Sequence, residues 1–223
     1  MNPSPLIRAF IFDMDDLLIA SAAIWRAAEV RVLSAMGHEW TPEISAQCKG
    51  MNAPDVAATL HRLLNPALSL ADCQKIMRDA VIEGFTNPIE SLPGAVELVR
   101  RLNGRAPMAV ASGSPMVAIE AALNQLGIFD CVNSVITSES VPRGKPHPDV
   151  FLAAATSLNV PPRHCLVFED SLVGVRAAKS AGMYSFAVPM IAHDQVRQIA
   201  TRTFSSLAEV TDEVLNDFQD PPA

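Results

Sequence analysis

The chain reads as an α/β fold, a doubly wound parallel sheet core with an inserted α-helical cap domain, on three observations. From Leu92 onward, short β-rich runs alternate with stretches of helical apolar spacing, the pattern of a parallel sheet covered on both faces. A first apolar run, Ala9-Phe10-Ile11-Phe12, lies far upstream and must join the same sheet. Between the two, residues 21–88 carry helical spacing and no convincing strand, so they form an insertion.

The run 9–12 has the length of a buried strand and ends in Asp13-Met14-Asp15-Asp16. Alternation points Asp13 and Asp15 to one side of the strand end and Met14 to the other. Two carboxylates about 4 Å apart repel by about 4 kcal/mol at an effective dielectric of about 20, and a divalent cation removes that repulsion. This motif alone predicts a metal.

In the insertion, helices are expected over 24–36, 55–64 and 71–85. Thr41-Pro42 suits an N-cap followed by proline, and Ser69-Leu70-Ala71-Asp72 resembles a capping box. The predicted division is a core of 1–20 and 89–223 and a helical cap of 21–88. The chain enters the cap near 18–21 and returns near 87–88, two crossings that would form a hinge, and closure would exclude water. Beyond it, strands are expected at 108–112, 132–137, 165–168 and 184–188, with helices at 117–126, 148–158 and 173–181.

The chain has 223 residues, 49% of them hydrophobic, enough for a proper core. Its net charge of −7 and scattered basic residues argue against a nucleic-acid surface. Arg100-Arg101, the only adjacent basic pair, is expected on a solvated helix face. No apolar run approaches the roughly 18 residues of a membrane span, and Met1-Asn2-Pro3-Ser4-Pro5 lacks a basic signal-peptide start, so a cytoplasmic location is expected. Cys48, Cys73, Cys131 and Cys165 show no CxxC pair or Cys/His cluster and read as reduced, structural thiols. The oligomeric state is open, and a monomer fits.

Three further strand ends carry polar groups, where ligands of open α/β sheets bind. Ser112-Gly113-Ser114-Pro115 puts a hydroxyl and backbone N–H groups before a helix, which serves either an anion or an ordinary N-cap turn. In Arg143-Gly144-Lys145-Pro146-His147-Pro148, a glycine and two prolines frame Lys145 as a held cation, and His147 reads as a loop hydrogen-bonder. Leu166-Val167-Phe168 ends in Glu169-Asp170-Ser171, which taken alone fits a helix N-cap. Two strand-to-acid junctions with a framed lysine and a hydroxyl turn exceed what capping explains.

The order Asp13-x-Asp15, Ser112, Lys145-Pro146 and Glu169-Asp170-Ser171-x-x-Gly174 resembles the haloacid dehalogenase superfamily of phosphohydrolases, over nearly the full length. The helical insert after the first motif looks like the small cap of the β-phosphoglucomutase-like branch. The resemblance implies a Rossmann-like core and a phosphatase acting on a small phosphorylated metabolite such as a sugar phosphate. It makes Asp13 the nucleophile that forms an aspartyl-phosphate and Asp15 the general acid and base. It places Mg²⁺ on Asp13, the backbone carbonyl of Asp15 and Asp170, with Glu169 ligating directly or through water. Ser112, Gly113 and Lys145 would neutralise the phosphoryl oxygens.

The chain departs from the family pattern at several positions. Asp16 stands where Gly is usual, and it is expected to point to solvent, since a third uncompensated charge is expensive to bury. Ala20 and Ala22 replace acids near the cap entrance. Trp25 aligns with a mutase histidine and Ala53 with a mutase arginine, so hydrolysis is favoured over a mutase. Asp16, Ala20 and Ala53 would suit a non-catalytic phospho-ligand binder, but the four core carboxylates and Lys145 are all present and argue against it. Trp25 either lines the pocket or packs in the cap core.

Overall fold

The computed structural model describes residues 6–190 and 194–219. The chain forms β1 (Ala9–Phe12) and then α1 (Ala22–Ala35), α2 (Pro42–Ala46), α3 (Ala53–Leu64) and α4 (Leu70–Gly84) before α5 (Ala95–Leu102). It continues with β2 (Met108–Ser112), α6 (Met116–Gln125), β3 (Ser134–Thr137), α7 (Asp149–Ser157), β4 (Cys165–Glu169), α8 (Leu172–Ser180) and β5 (Tyr184–Ala187). The last elements are α9 (Asp194–Ile199), β6 (Arg202–Thr203) and α10 (Asp212–Gln219). Residues 1–5 and 191–193 and the end Asp220-Pro221-Pro222-Ala223, whose two prolines predict fraying from the sequence, lie outside the described residues.

All six strands are parallel, in the order β3-β2-β1-β4-β5-β6. Every residue of β1, β2 and β4 is buried, which is why these runs are apolar throughout rather than alternating. Phe10, Phe12, Phe168 and Phe186 point to one face with α5, α6 and α10, and Phe12 stacks on Phe168 at 4.6 Å. Ala9, Ile11, Ala109, Ala111 and Val167 point to the other, against α7 and α8. This is the doubly wound Rossmann-like core.

Phe12 is in register with Val110 of β2 and Phe168 of β4, so the three central strands end at one level. Asp13, Ser112 and Glu169 therefore reach the same carboxyl edge of the sheet. The helices α1, α3 and α4 pack together through residues including Val32, Val56, Leu60, Met77 and Val81, in an apolar cluster continuous with the Phe12 face of the sheet. Thr41 and Ser69 cap as the sequence predicts, accepting from Ile44 N and Asp72 N. The two crossings pair with each other: Ala20 N donates to Glu90 O at 2.9 Å and Leu92 N to Leu18 O at 3.0 Å.

Several elements differ from expectation. The third strand begins at Ser134 rather than 132, because residues Phe129–Cys131 make a 3-10 turn that delays pairing. Helix α5 is anticipated only through Arg100 and Arg101, expected on a helix face and found in its last turn, while α9, α10 and two-residue β6, too short for any alternation, go unpredicted. Helix α2 spans only five residues and shows no buried side chain. Among the described residues, no helix is long and apolar enough to cross a membrane.

Candidate active site

At the end of β1, Asp13 is 4% exposed, and its Oδ1 accepts from Lys145 Nζ at 2.5 Å. The same ammonium donates to Glu169 Oε2 at 3.3 Å and lies 4.9 Å from the centroid of the Phe151 ring. Burial opposes the charge on Lys145, but the Asp13 and Glu169 carboxylates outweigh it and hold the amine firmly protonated. Glu169 also accepts from Ser171 Oγ at 2.8 Å. Gly174 is required here, since a Cβ on it would lie 2.0 Å from the Glu169 carboxyl carbon.

Asp13, Glu169 and Asp170 bring carboxylate oxygens within 4.8 Å of one another, all buried. The Asp170 carboxylate takes no hydrogen bond from any described residue. Burial, and then repulsion from Glu169, push the pKa values of Asp13 and Asp170 well above the ordinary carboxylate range. One ammonium against three crowded carboxylates leaves a deficit of positive charge. An all-oxygen donor set of this kind fits a hard divalent cation such as Mg²⁺.

Asp15 sits apart from that cluster, with neutral donors. Ser112 Oγ and Ser114 Oγ donate to its Oδ2 at 2.9 and 2.8 Å, and Trp25 Nε1 donates to its Oδ1 at 2.8 Å. Ser112 is thus buried against Asp15, while Gly113 and Lys145 line a cavity of about 390 Å³ together with Asp13, Glu169 and Asp170. Trp25 resolves toward the pocket, although its ring also packs on the apolar centre. His147 is exposed on the loop.

Asp16 corrects the expectation that it points to solvent. It is half-buried, and its Oδ1 accepts from Ser21 N at 3.1 Å and Ala22 N at 2.9 Å, closing the first turn of α1. Its φ of 55° lies in the left-handed region, which Asp tolerates better than most residues. Burial and the neighbouring Asp15 raise its pKa, against the two amide bonds.

A family model described as haloacid dehalogenase-like hydrolase matches residues 7–182. The chain belongs to the haloacid dehalogenase-like hydrolases. It is 32% identical to fructose-1-phosphate phosphatase YqaB of Escherichia coli strain K12, over 81% of this chain and 96% of that protein. It is 30% identical to hexitol phosphatase B of the same strain, over 95% of this chain and 97% of that one. In fold it resembles β-phosphoglucomutase from Clostridium difficile, with a TM-score of 0.85 at 24% identity, covering 96% and 97% of the two chains.

This haloacid dehalogenase-like site includes residues that sequence reasoning missed. Ser114 is the second hydroxyl on Asp15, and its place two residues after Ser112 in one turn was the available signal. Asn52 is buried at the start of α3 and covers the loop of Lys145, and a Cβ on Gly144 would meet its Nδ2 at 2.1 Å. Arg78 of α4 bonds Glu139, after β3, at 2.6 Å. Glu29 and Trp40 line the cavity wall. Nothing local in the sequence marks the contacts of Asn52, Arg78, Glu29 and Trp40, which depend on how the helices lie over the sheet.

Proposed function

We propose that the chain is a Mg²⁺-dependent phosphomonoesterase that hydrolyses a small phosphorylated metabolite, a sugar phosphate, through an aspartyl-phosphate on Asp13. One observation carries this reading: two carboxylates two residues apart are held by opposite means. Asp13 has a cation on Oδ1 and no hydrogen bond on Oδ2 from the described residues, so Oδ2 keeps a lone pair for attack. Asp15 is aligned by three neutral donors, as a proton carrier requires.

In the first half, Asp13 Oδ2 attacks phosphorus, the ester P–O bond breaks, and protonated Asp15 gives its proton to the leaving oxygen. In the second, Asp15 takes a proton from water, the water oxygen attacks phosphorus, and the bond to Asp13 breaks to release phosphate. Lys145, the Gly113 backbone and Ser112 offset charge on the phosphoryl oxygens, with Ser112 Oγ exchanging Asp15 for the phosphoryl group. Asp13, Glu169, Asp170 and the Asp15 carbonyl would hold Mg²⁺, which supplies further neutralisation of that charge.

We assign 21–88 as a cap, hinged at its two paired crossings, with 1–20 and 89–223 as the core. The four free thiols suit a reducing cytoplasm. Hydrolysis is favoured over mutase chemistry, because Trp25 offers Asp15 only an N–H donor and Ala53 is a buried methyl with no charge for a second phosphate. The phosphatase names of the two bacterial relatives support a polyol or sugar phosphate. The test is phosphate release over a metabolite panel with Mg²⁺ and with chelator. Asp13→Asn should reduce turnover by more than about a thousandfold, and residual activity near wild type in a clean preparation would refute the assignment.

A further inference from the structure

The cavity wall opposite the acids is built by one face of α1: Ala22, Trp25, Arg26 and Glu29 all line it, at spacings of three and four residues. Trp25 fixes that face to the chemistry through its bond to Asp15. Glu29 lies one turn further on, about 6 Å along the helix axis, roughly the length of a small carbon chain away from the scissile oxygen.

Glu29 is 6% exposed, and it is the only buried charged residue that the cap contributes to the cavity lining. Its Oε2 accepts from Trp40 Nε1 at 2.7 Å. Its Oε1 receives no hydrogen bond from any described residue, although Glu29 borders the cavity. A buried carboxylate with unused acceptor capacity calls for donors. The cap's two cations on the lining are both exposed: Arg26 stacks over the Trp40 ring at 4.2 Å, and Lys49 acts on Asp16. Neither neutralises Glu29 from within the wall.

We infer that Glu29 is a specificity residue that accepts hydroxyl hydrogen bonds from the leaving group, which makes the preferred substrate the phosphate ester of a neutral polyhydroxylated alcohol. The inference rests on the phosphatase reading above and adds the residue that selects its substrate. Trp25 and Trp40 give the carbon skeleton an apolar surface beside the acceptor. A leaving group with a second anion would bring like charge to Glu29 and be rejected, while one without hydroxyls would leave the carboxylate unpaired.

The experiment compares kcat/KM for sorbitol 6-phosphate, 2-phosphoglycolate and p-nitrophenyl phosphate in wild type, Glu29→Ala and Glu29→Gln. Wild type should prefer the polyol ester to 2-phosphoglycolate. The ratio of sorbitol 6-phosphate to p-nitrophenyl phosphate should fall about ten- to hundredfold in Glu29→Ala and by a smaller factor in Glu29→Gln. In both variants 2-phosphoglycolate should gain relative to the polyol ester. Glu29→Gln keeps the shape of the side chain and carries the test if Glu29→Ala fails to fold. An equal fall on all three esters would mean a purely structural role and would overturn the inference, as would unchanged ratios. A wild type that cleaves p-nitrophenyl phosphate without preferring polyol over phosphoglycolate would overturn it while leaving the hydrolase intact. No phosphate release from any ester would remove the phosphatase reading, and this inference with it.

Discussion

Asp15 depends on a residue of α1 as much as on its own strand end. Among the described residues, the indole N–H of Trp25 is the one donor to Asp15 supplied by a helix, so under the proposed mechanism it ties the acid/base to the position of α1. Trp25→Phe keeps the ring and removes the donor. A hydrogen bond to a charged group contributes about 1.5–3 kcal/mol, so kcat should fall roughly tenfold or more, with a smaller change in KM. Steady-state kinetics on one ester decide it, and an unchanged kcat would exclude the coupling. Asp16 makes a second residue-scale prediction, because its cap and its positive φ can be separated. Asp16→Gly loses the two amide bonds but none of the backbone tolerance, at about 1 kcal/mol, while Asp16→Ala loses the bonds and must hold a left-handed conformation, at about 2–3 kcal/mol. Urea unfolding midpoints should rank wild type, Gly, then Ala.

At the scale of elements, what the sequence made legible was what its own local pattern encodes. The runs ending at Ser112 and Phe168 were readable because both faces of the central sheet are buried, leaving no polar interruption until the strand stops. The acids were readable because each sits at such a stop, and Lys145 because a glycine and two prolines frame it in the loop that follows β3. The bonds of Trp25 and Ser114 to Asp15 and the contact of Asn52 with Gly144 were not, since the partners lie 10, 99 and about ninety residues away and meet only once the strands pair and the helices pack. The junction of β4 with α8 gives a prediction of its own. Glu169 fits beneath the first turn of α8 because position 174 has no Cβ. Gly174→Ala should push Glu169 off Lys145, leaving the fold intact by circular dichroism. Phosphate release should drop at least about tenfold, with half-saturation at higher Mg²⁺, and wild-type Mg²⁺ dependence would show that Glu169 has room to move.

For the whole molecule, the acidic cluster is a source of instability that a cation would relieve. Asp13 and Asp170 have pKa values raised by burial and by Glu169, so each carries a penalty that grows with pH. The sign follows from linkage: a raised folded pKa contributes stability below the unfolded value, near 4, which is lost as pH rises through the folded value. Metal-free protein is therefore at its greatest disadvantage at neutral pH, where both groups are driven to ionise beside Glu169. Binding a divalent cation to the native state alone adds stability by mass action. Mg²⁺ should thus raise Tm more at pH 7.5 than at pH 5. Asp170→Asn should raise the Tm of metal-free protein, since it removes a buried charge that has no donor among the described residues, and a gain of about 1 kcal/mol corresponds to roughly 2–4 °C in a chain of this size. The same variant should lose most of the Mg²⁺ increment along with activity. Thermal melts at the two pH values, with Mg²⁺ or chelator, test both halves, and a variant less stable than wild type without metal would show that Asp170 is held by contacts rather than strained by its neighbours.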